Sequence, residues 1–346
     1  MAFEKVTVPT DSSFGYTHVA ERGGAEAVRR AIPAGARIGY WTAPDGWALR
    51  RFDWPADAVS RRPRGAVLFQ TGRGDIFEKY LETFAHLHAH GWSVTAFDWR
   101  GQGGSGRLSG DPHVGHVDDY TIYDRDLAGF WSDWVAERGA SDQPPVIPRV
   151  IVGHSMGGMM VVRALAARSI QPDAAILVAP MIGLKSPVGA GIAGRVARWM
   201  ASRGNPARGA WRSNERPGSI ASRQSLLTHD ASRYDDERWW QAEKPALCLG
   251  PPSWSWLAQG FAAAAALAVD PRIETMETPV LILVAEADKL VDPHAALRLG
   301  ARLPDAQIVR FGRESAHEIL READGVRDRA LGAIDSFLDA VVPPRS

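Results

Sequence analysis

The chain has 346 residues, 45% of them apolar and 23% charged, which allows a large buried core and excludes a disordered or fibrous protein. Forty basic residues balance forty acidic ones, so no overall field favours nucleic acid, and the single cysteine, Cys248, excludes an intrachain disulfide. The opening MAFEKVTVPTDSSFGYTH has no basic region followed by an apolar stretch, and no later run approaches the roughly 18 apolar residues of a membrane span, so a soluble, cytoplasmic protein is expected.

Residues 37–53 form two half-apolar runs around Pro44-Asp45-Gly46, a turn sequence that predicts an antiparallel hairpin. GAVLFQTG at 65–72 is continuously apolar and ends at glycine, as a strand buried on both faces should. Phe77 to Gly91 places Tyr80, Leu81, Phe84 and Leu87 at helical spacing and stops at glycine; the strand WSVTAFDW follows. The same strand, loop, helix, strand order recurs in VIVGHS, a helix over about 157–168, and AAILVAP at 174–180. PVLILVAEAD at 279–288, a helix in AALRLGARL, QIVRFG at 307–312 and a closing amphipathic helix complete a mostly parallel sheet covered by helices.

Between about 182 and 272 the alternation stops, and six of the thirteen tryptophans occur there, at 199, 211, 239, 240, 254 and 256. The expected organisation is an N-terminal extension over 1–37, a core in two parts over 38–181 and 273–340, and a helical cap over 182–272. Within that cap, FAAAAALAV at 261–269 is too short to span a bilayer and suits a buried helix.

Gly153-His154-Ser155-Met156-Gly157 is a Gly-x-Ser-x-Gly turn directly after a strand and before a helix. The glycines permit a tight turn that lifts the Ser155 hydroxyl above the carboxyl edge of the sheet, with a helix N-terminus aimed at developing negative charge. A serine hydroxyl needs a base, and the base needs an orienting carboxylate; with this turn the chain order is serine, acid, histidine. His317, in GRESAHEIL, is the expected base, and Asp288, ending the strand PVLILVAEAD, the expected acid. Glu286 and Asp292 are rivals for the acid, although Asp292 before Pro293 equally suits a helix cap. The backbone N–H groups of Met156 and Arg73 are the expected donors to the oxyanion, the latter from Thr71-Gly72-Arg73-Gly74.

The glycine-rich stretch from Asp98 to Gly106 matches no phosphate-binding spacing and is expected to be structural. No metal site is expected: histidines 86, 88 and 90 alternate on a helix surface, 113 and 116 lie apart from them, and no acidic partner cluster is evident.

Gly72-Arg73-Gly74 followed by Glu78-Lys79-Tyr80, then FDWRGQGGSGR, GHSMGG, AEADKLVD and SAHEIL, together resemble the monoacylglycerol lipase and lysophospholipase group of α/β-hydrolases, its lysophospholipase L2 branch in particular. The resemblance covers about 38–340, the cap matching only in length and position. It implies an α/β-hydrolase fold with an eight-stranded sheet, a helical cap, no cofactor, and cleavage of one acyl ester from a lysolipid or monoacylglycerol. Where the family often has His-Gly at the oxyanion loop, this chain has Thr71-Gly72. The expected partner is a small acyl ester or lysolipid, with transient contact of the cap with a membrane surface; nucleic acid is not expected, and nothing in the sequence sets the oligomeric state. A peptidase, thioesterase or perhydrolase on the same scaffold remains open, as does a hydrolase-like binding protein, whereas serine at 155 disfavours dehalogenases and most epoxide hydrolases of this fold.

Overall fold

A computed structural model describes residues 28–57, 63–139, 147–211 and 220–343. Most of the expected N-terminal extension and the last three residues lie outside them. The hairpin joins β1 (Arg37–Thr42) to β2 (Ala48–Trp54), with Gly46 in the left-handed region at φ 86°. Six further strands follow: β3 (Gly65–Gln70), β4 (Trp92–Phe97), β5 (Arg149–His154), β6 (Ala174–Val178), β7 (Val280–Ala285) and β8 (Ala306–Phe311). They form one sheet in the order β1-β2-β4-β3-β5-β6-β7-β8, antiparallel at β1, β2 and β4 and parallel from there on.

Every residue of β3, β6 and β7 is buried, because helices cover both faces and alternate side chains feed two separate cores. Val67, Phe69, Val150, Val152 and Ile176 pack with Phe84 and Leu87 of α1 (Leu81–Ala89) and with Leu331, Ile334 and Phe337 of α9 (Asp324–Val341). Leu68, Ile151, Leu177 and Ile282 face the other way, against α2 (Thr121–Gly139), α3 (Met156–Ala166) and α8 (Pro293–Arg302). Each such large apolar side chain contributes about 1.5–3 kcal/mol on burial.

Between β6 and β7 the chain forms α4 (Ala190–Ala201), α5 (Ile220–Leu227), α6 (Ala231–Glu243) and α7 (Trp254–Val269), and no strand of the sheet comes from the described residues of this stretch. Ser253 caps α7 by accepting from Trp256 N at 3.0 Å. Gly194 of α4 leaves only 3.0 Å between a built Cβ and Phe261 Cβ, so the two helices pack closely there. The expectation of a buried FAAAAALAV helix holds for one face only: Ala263 and Leu267 are buried, but Val269 is 77% exposed, because α7 rests on its neighbours along that face alone. The tryptophans of this stretch divide likewise, Trp240 and Trp256 being buried and Trp199 exposed. Among the described residues no helix is long and apolar enough to cross a membrane.

Candidate active site

Ser155 sits between the end of β5 and the first residue of α3 with φ 53° and ψ −116°, a conformation that costs a non-glycine residue of the order of 1–3 kcal/mol. Its glycines are required by crowding. A Cβ on Gly157 would lie 2.5 Å from the carbonyl oxygens of Gln70 and Thr71, and one on Gly153 would lie 2.7 Å from Gly158 Cα. Glycine at 157 therefore lets α3 begin directly against the loop after β3. Met156 is the first residue of α3, so its N–H is one of the amides for which the helix offers no acceptor.

The parallel strands deliver the other two residues to the same edge. Asp288 lies three residues beyond β7, and His317 lies in the loop after β8. His317 Nδ1 donates to Asp288 Oδ2 at 2.5 Å, which leaves Nε2 bare to accept from the Ser155 hydroxyl at 2.8 Å. Asp288 Oδ1 accepts from the backbone N–H groups of Leu290 at 2.7 Å and Val291 at 3.1 Å, fixing the carboxylate from behind. Asp288, His317 and Ser155 are all buried.

The rivals for the acid are placed elsewhere. Glu286 pairs with Arg310 at the surface, and Asp292 caps α8 by accepting from His294 N at 3.0 Å. Burial alone would raise the Asp288 pKa, but His317 and the two amides outweigh it and hold the carboxyl below its ordinary value. Burial likewise opposes a charge on His317, yet Asp288, with Glu318 and Asp75 behind it, raises its pKa above the ordinary 6.5. His154 differs: burial first, and the nearby His317 second, push it down to about 4, so it stays neutral at pH 7.

The loop carrying Arg73 stands beside the serine, since a Cβ on Gly72 would lie 3.1 Å from Ser155 Cβ. Trp99 Nε1 donates to Thr71 O at 2.8 Å, Gly72 N to Asp75 Oδ2 at 3.1 Å, and Gly74 N to Gln102 Oε1 at 2.6 Å. These bonds hold the loop without a histidine at 71; the Thr71 hydroxyl itself is buried with no hydrogen-bond partner among the described residues. Arg73 Nη2 reaches Gly250 O at 2.7 Å, tying the loop to the segment between α6 and α7. Glu318 N donates to Leu227 O at 2.7 Å and Lys185 Nζ to Asp288 O, so the 182–272 stretch also touches both loops that bear the acid and the histidine. The stretch from Asp98 is structural as expected: Asp98 Oδ2 accepts from Gly104 N at 2.8 Å and Arg50 Nε at 2.7 Å.

Sequence reasoning missed a buried ionic cluster close to the serine and histidine loops. Lys79 Nζ meets Asp75 Oδ1 at 2.5 Å, Glu318 Oε1 at 2.6 Å and Glu237 Oε2 at 3.0 Å, and Arg321 Nη1 meets Glu318 Oε2 at 2.5 Å. Burial opposes ionisation of Asp75 and Glu318, but Lys79 overcomes it and both fall to about 2. The Glu78-Lys79-Tyr80 motif was the available signal, although Glu78 itself turns away to pair with Arg50.

A serine hydroxyl bonded to an imidazole whose far nitrogen is held by a buried carboxylate is competent for proton removal and acyl transfer. A family model described as serine aminopeptidase, S33, matches residues 61–324. The chain belongs to the serine aminopeptidase S33 family. The sequence is 33% identical over 288 residues to lysophospholipase L2 of Escherichia coli strain K12, covering 79% of this chain and 80% of that one. A 100-residue stretch, 29% of this chain and 31% of the relative, is 33% identical to a monoacylglycerol lipase of Mycolicibacterium smegmatis. Among solved structures, a soluble variant of monoglyceride lipase from Saccharomyces cerevisiae superposes with a TM-score of 0.71 at 20% identity, covering 90% of this chain and 97% of that one. That likeness is one of fold: the S33 chain has an α/β-hydrolase fold.

If Ser155 is activated by neutral His317, the acid limb of kcat/KM has its midpoint above the ordinary histidine value of about 6.5. The sign follows from the base: below its raised pKa His317 is protonated and cannot accept the hydroxyl proton, so activity is lost as pH falls. A kcat/KM profile from pH 5 to 9 on a non-ionising ester measures this, and a midpoint below 6 would contradict the raised value.

Proposed function

We propose that the chain hydrolyses the ester bond of a single-chain acyl lipid, a lysophospholipid or monoacylglycerol, through an acyl-enzyme on Ser155. The observation that carries the chemistry is the continuous hydrogen-bond chain Ser155 Oγ to His317 Nε2 and His317 Nδ1 to Asp288 Oδ2. His317 takes the hydroxyl proton as Oγ attacks the ester carbonyl and returns it to the leaving alcohol; a water activated by the same nitrogen then releases the fatty acid. The N–H groups of Met156 and Arg73 hold the oxyanion, each contributing on the order of 3 kcal/mol.

The substrate class rests on the lysophospholipase and monoacylglycerol lipase names of the relatives and on the surface of the intervening helices. Residues 182–272 act as a cap on the carboxyl edge of the sheet, supported by the contacts of Gly250, Leu227 and Lys185 with the three site loops. On α4 and just before it, Val188, Ile192, Val196 and Trp199 are all 45% exposed or more, and Arg195 and Arg198 lie exposed on the same helix. An exposed apolar row with basic neighbours suits transient adsorption to a lipid surface.

A peptidase reading is favoured by the family description alone. An aminopeptidase needs a free acidic group for the substrate ammonium, and Asp75 and Glu318, which cluster with His154 beside the catalytic loops, are already neutralised by Lys79 and Arg321.

The test is a panel of lysophosphatidylcholines, monoacylglycerols, p-nitrophenyl esters from acetate to palmitate, and aminoacyl amides. Medium- and long-chain esters should be turned over best; preference for the amides would overturn the lipid-ester reading. Replacing Ile192 and Trp199 together by Asp should lower activity on vesicle-borne substrate about tenfold while leaving p-nitrophenyl acetate hydrolysis unchanged, as loss of apolar insertion predicts. Unchanged activity on vesicles would sink the adsorption role of α4.

A further inference from the structure

No acidic partner cluster was evident in the sequence for histidines 86 to 90, but α9 brings a single acid, Asp335, against His86 of α1 and His90 just beyond its end. His86 Nε2 donates to Asp335 Oδ2 at 2.8 Å, and His90 Nε2 stands 3.8 Å from the same oxygen. His88 is separate, its Nε2 donating to Pro55 O at 2.9 Å and its ring stacked on Trp54.

His90 Nδ1 lies 2.8 Å from His86 O, and a carbonyl only accepts, so the proton of the neutral ring is on Nδ1 and the Nε2 lone pair is bare. That lone pair faces a carboxylate oxygen at a distance too long for a hydrogen bond. A cation placed between two such electron-rich atoms would accept from both. The second carboxylate oxygen, Asp335 Oδ1, is buried and has no hydrogen-bond partner among the described residues. The backbone-anchored Nδ1–H of His90 is also the support that metal-binding histidines commonly have.

We propose that His86 Nε2, His90 Nε2 and an Asp335 oxygen form a binding site for one divalent transition cation of the zinc type, clamping α1 to α9. The three ligand atoms lie within 4.8 Å of one another. Ligands at 2.0–2.1 Å around a tetrahedral ion are separated by about 3.3 Å; the two separations from the carboxylate oxygen, 2.8 and 3.8 Å, bracket that value, and the two imidazole nitrogens lie within 4.8 Å of one another, so side-chain rotation alone closes the site. The ion takes the lone pair of His86 Nε2, and the proton there passes through solvent to Nδ1, so neutral rings release no net proton. Two imidazoles and one carboxylate select zinc, cobalt, nickel or copper over magnesium or calcium, and water fills the remaining position. His90 has 41% of its side chain exposed, which provides the entry path. Among the described residues, the other cluster of this kind, Asp75, His154 and Glu318, is not a candidate, because Lys79 already pairs with both of its carboxylates.

The experiment is titration of untagged, chelator-stripped protein with zinc chloride by calorimetry, alongside His90→Gln, His86→Gln and Asp335→Asn. Hydrolysis of a p-nitrophenyl ester serves as the folding control for each variant. Wild type should bind one zinc per chain, with affinity reduced at least about tenfold in each correctly folded variant. Saturating zinc should raise the melting temperature of wild type by a few degrees and leave that of His90→Gln unmoved, and magnesium should give no saturable heat. Absence of saturable zinc binding, or binding that is unchanged in His90→Gln and Asp335→Asn, would overturn the proposal.

Discussion

Ser155→Ala is expected to lower kcat by about 10^6-fold on any ester substrate, because the nucleophile and its base act as a unit and the residual rate comes only from binding and oxyanion donors. Stability should move the other way in a companion variant. Ser155 is held at φ 53° and ψ −116°, a region glycine tolerates, so Ser155→Gly should be inactive yet more stable by about 1–3 kcal/mol. Steady-state rates and urea unfolding of the three proteins measure both effects. A variant that retains activity removes Ser155 from the mechanism, and a destabilised glycine variant contradicts the strain.

The largest expected effect on stability comes from Lys79. Its ammonium is buried among Asp75, Glu237 and Glu318, so Lys79→Met leaves three carboxylates with too few buried cations. Breaking such a group by removing one partner costs about 3–5 kcal/mol at neutral pH. The pH sign is fixed by the depressed carboxyls: Asp75 and Glu318, held near 2, contribute stability above their unfolded values of about 4, and this is lost as pH falls toward 2. In the variant they protonate more readily, so the gap between variant and wild type should be widest at pH 7 and narrower at pH 5. Urea unfolding at the two pH values reads this out; an equal gap at both would show that packing, not charge, sets the cost.

Much of this site was legible because its residues are punctuated by strand ends. Ser155 follows β5 within a glycine pattern, Asp288 follows the apolar run of β7, and His317 follows β8, so the strand ends, the Gly-x-Ser-x-Gly turn and the order serine, acid, histidine together pointed all three to one edge. The helices of the 182–272 stretch were bounded only by a loss of alternation, which is why α7 could be taken for a buried helix while Val269 lies in solvent. What stayed hidden depends on contacts across long sequence separations. A lysine four residues after Asp75 on an amphipathic segment looks like a solvated surface group until Glu237 and Glu318 arrive from elsewhere in the chain. Asp335 reaches His86 in the same way, across 249 residues. Thr71 marked a departure from the family pattern, but the means of holding that loop, through Trp99, Asp75 and Gln102, required the folded arrangement.

The most direct test of the acyl-enzyme account is titration of the protein with a fluorophosphonate, followed by peptide mass analysis, with and without prior incubation with a long-chain monoacylglycerol. The account predicts one label per chain on the peptide carrying Ser155, slowed by the lipid and absent in His317→Ala. Label on another residue, or labelling of Ser155 that proceeds undiminished without His317, would contradict it.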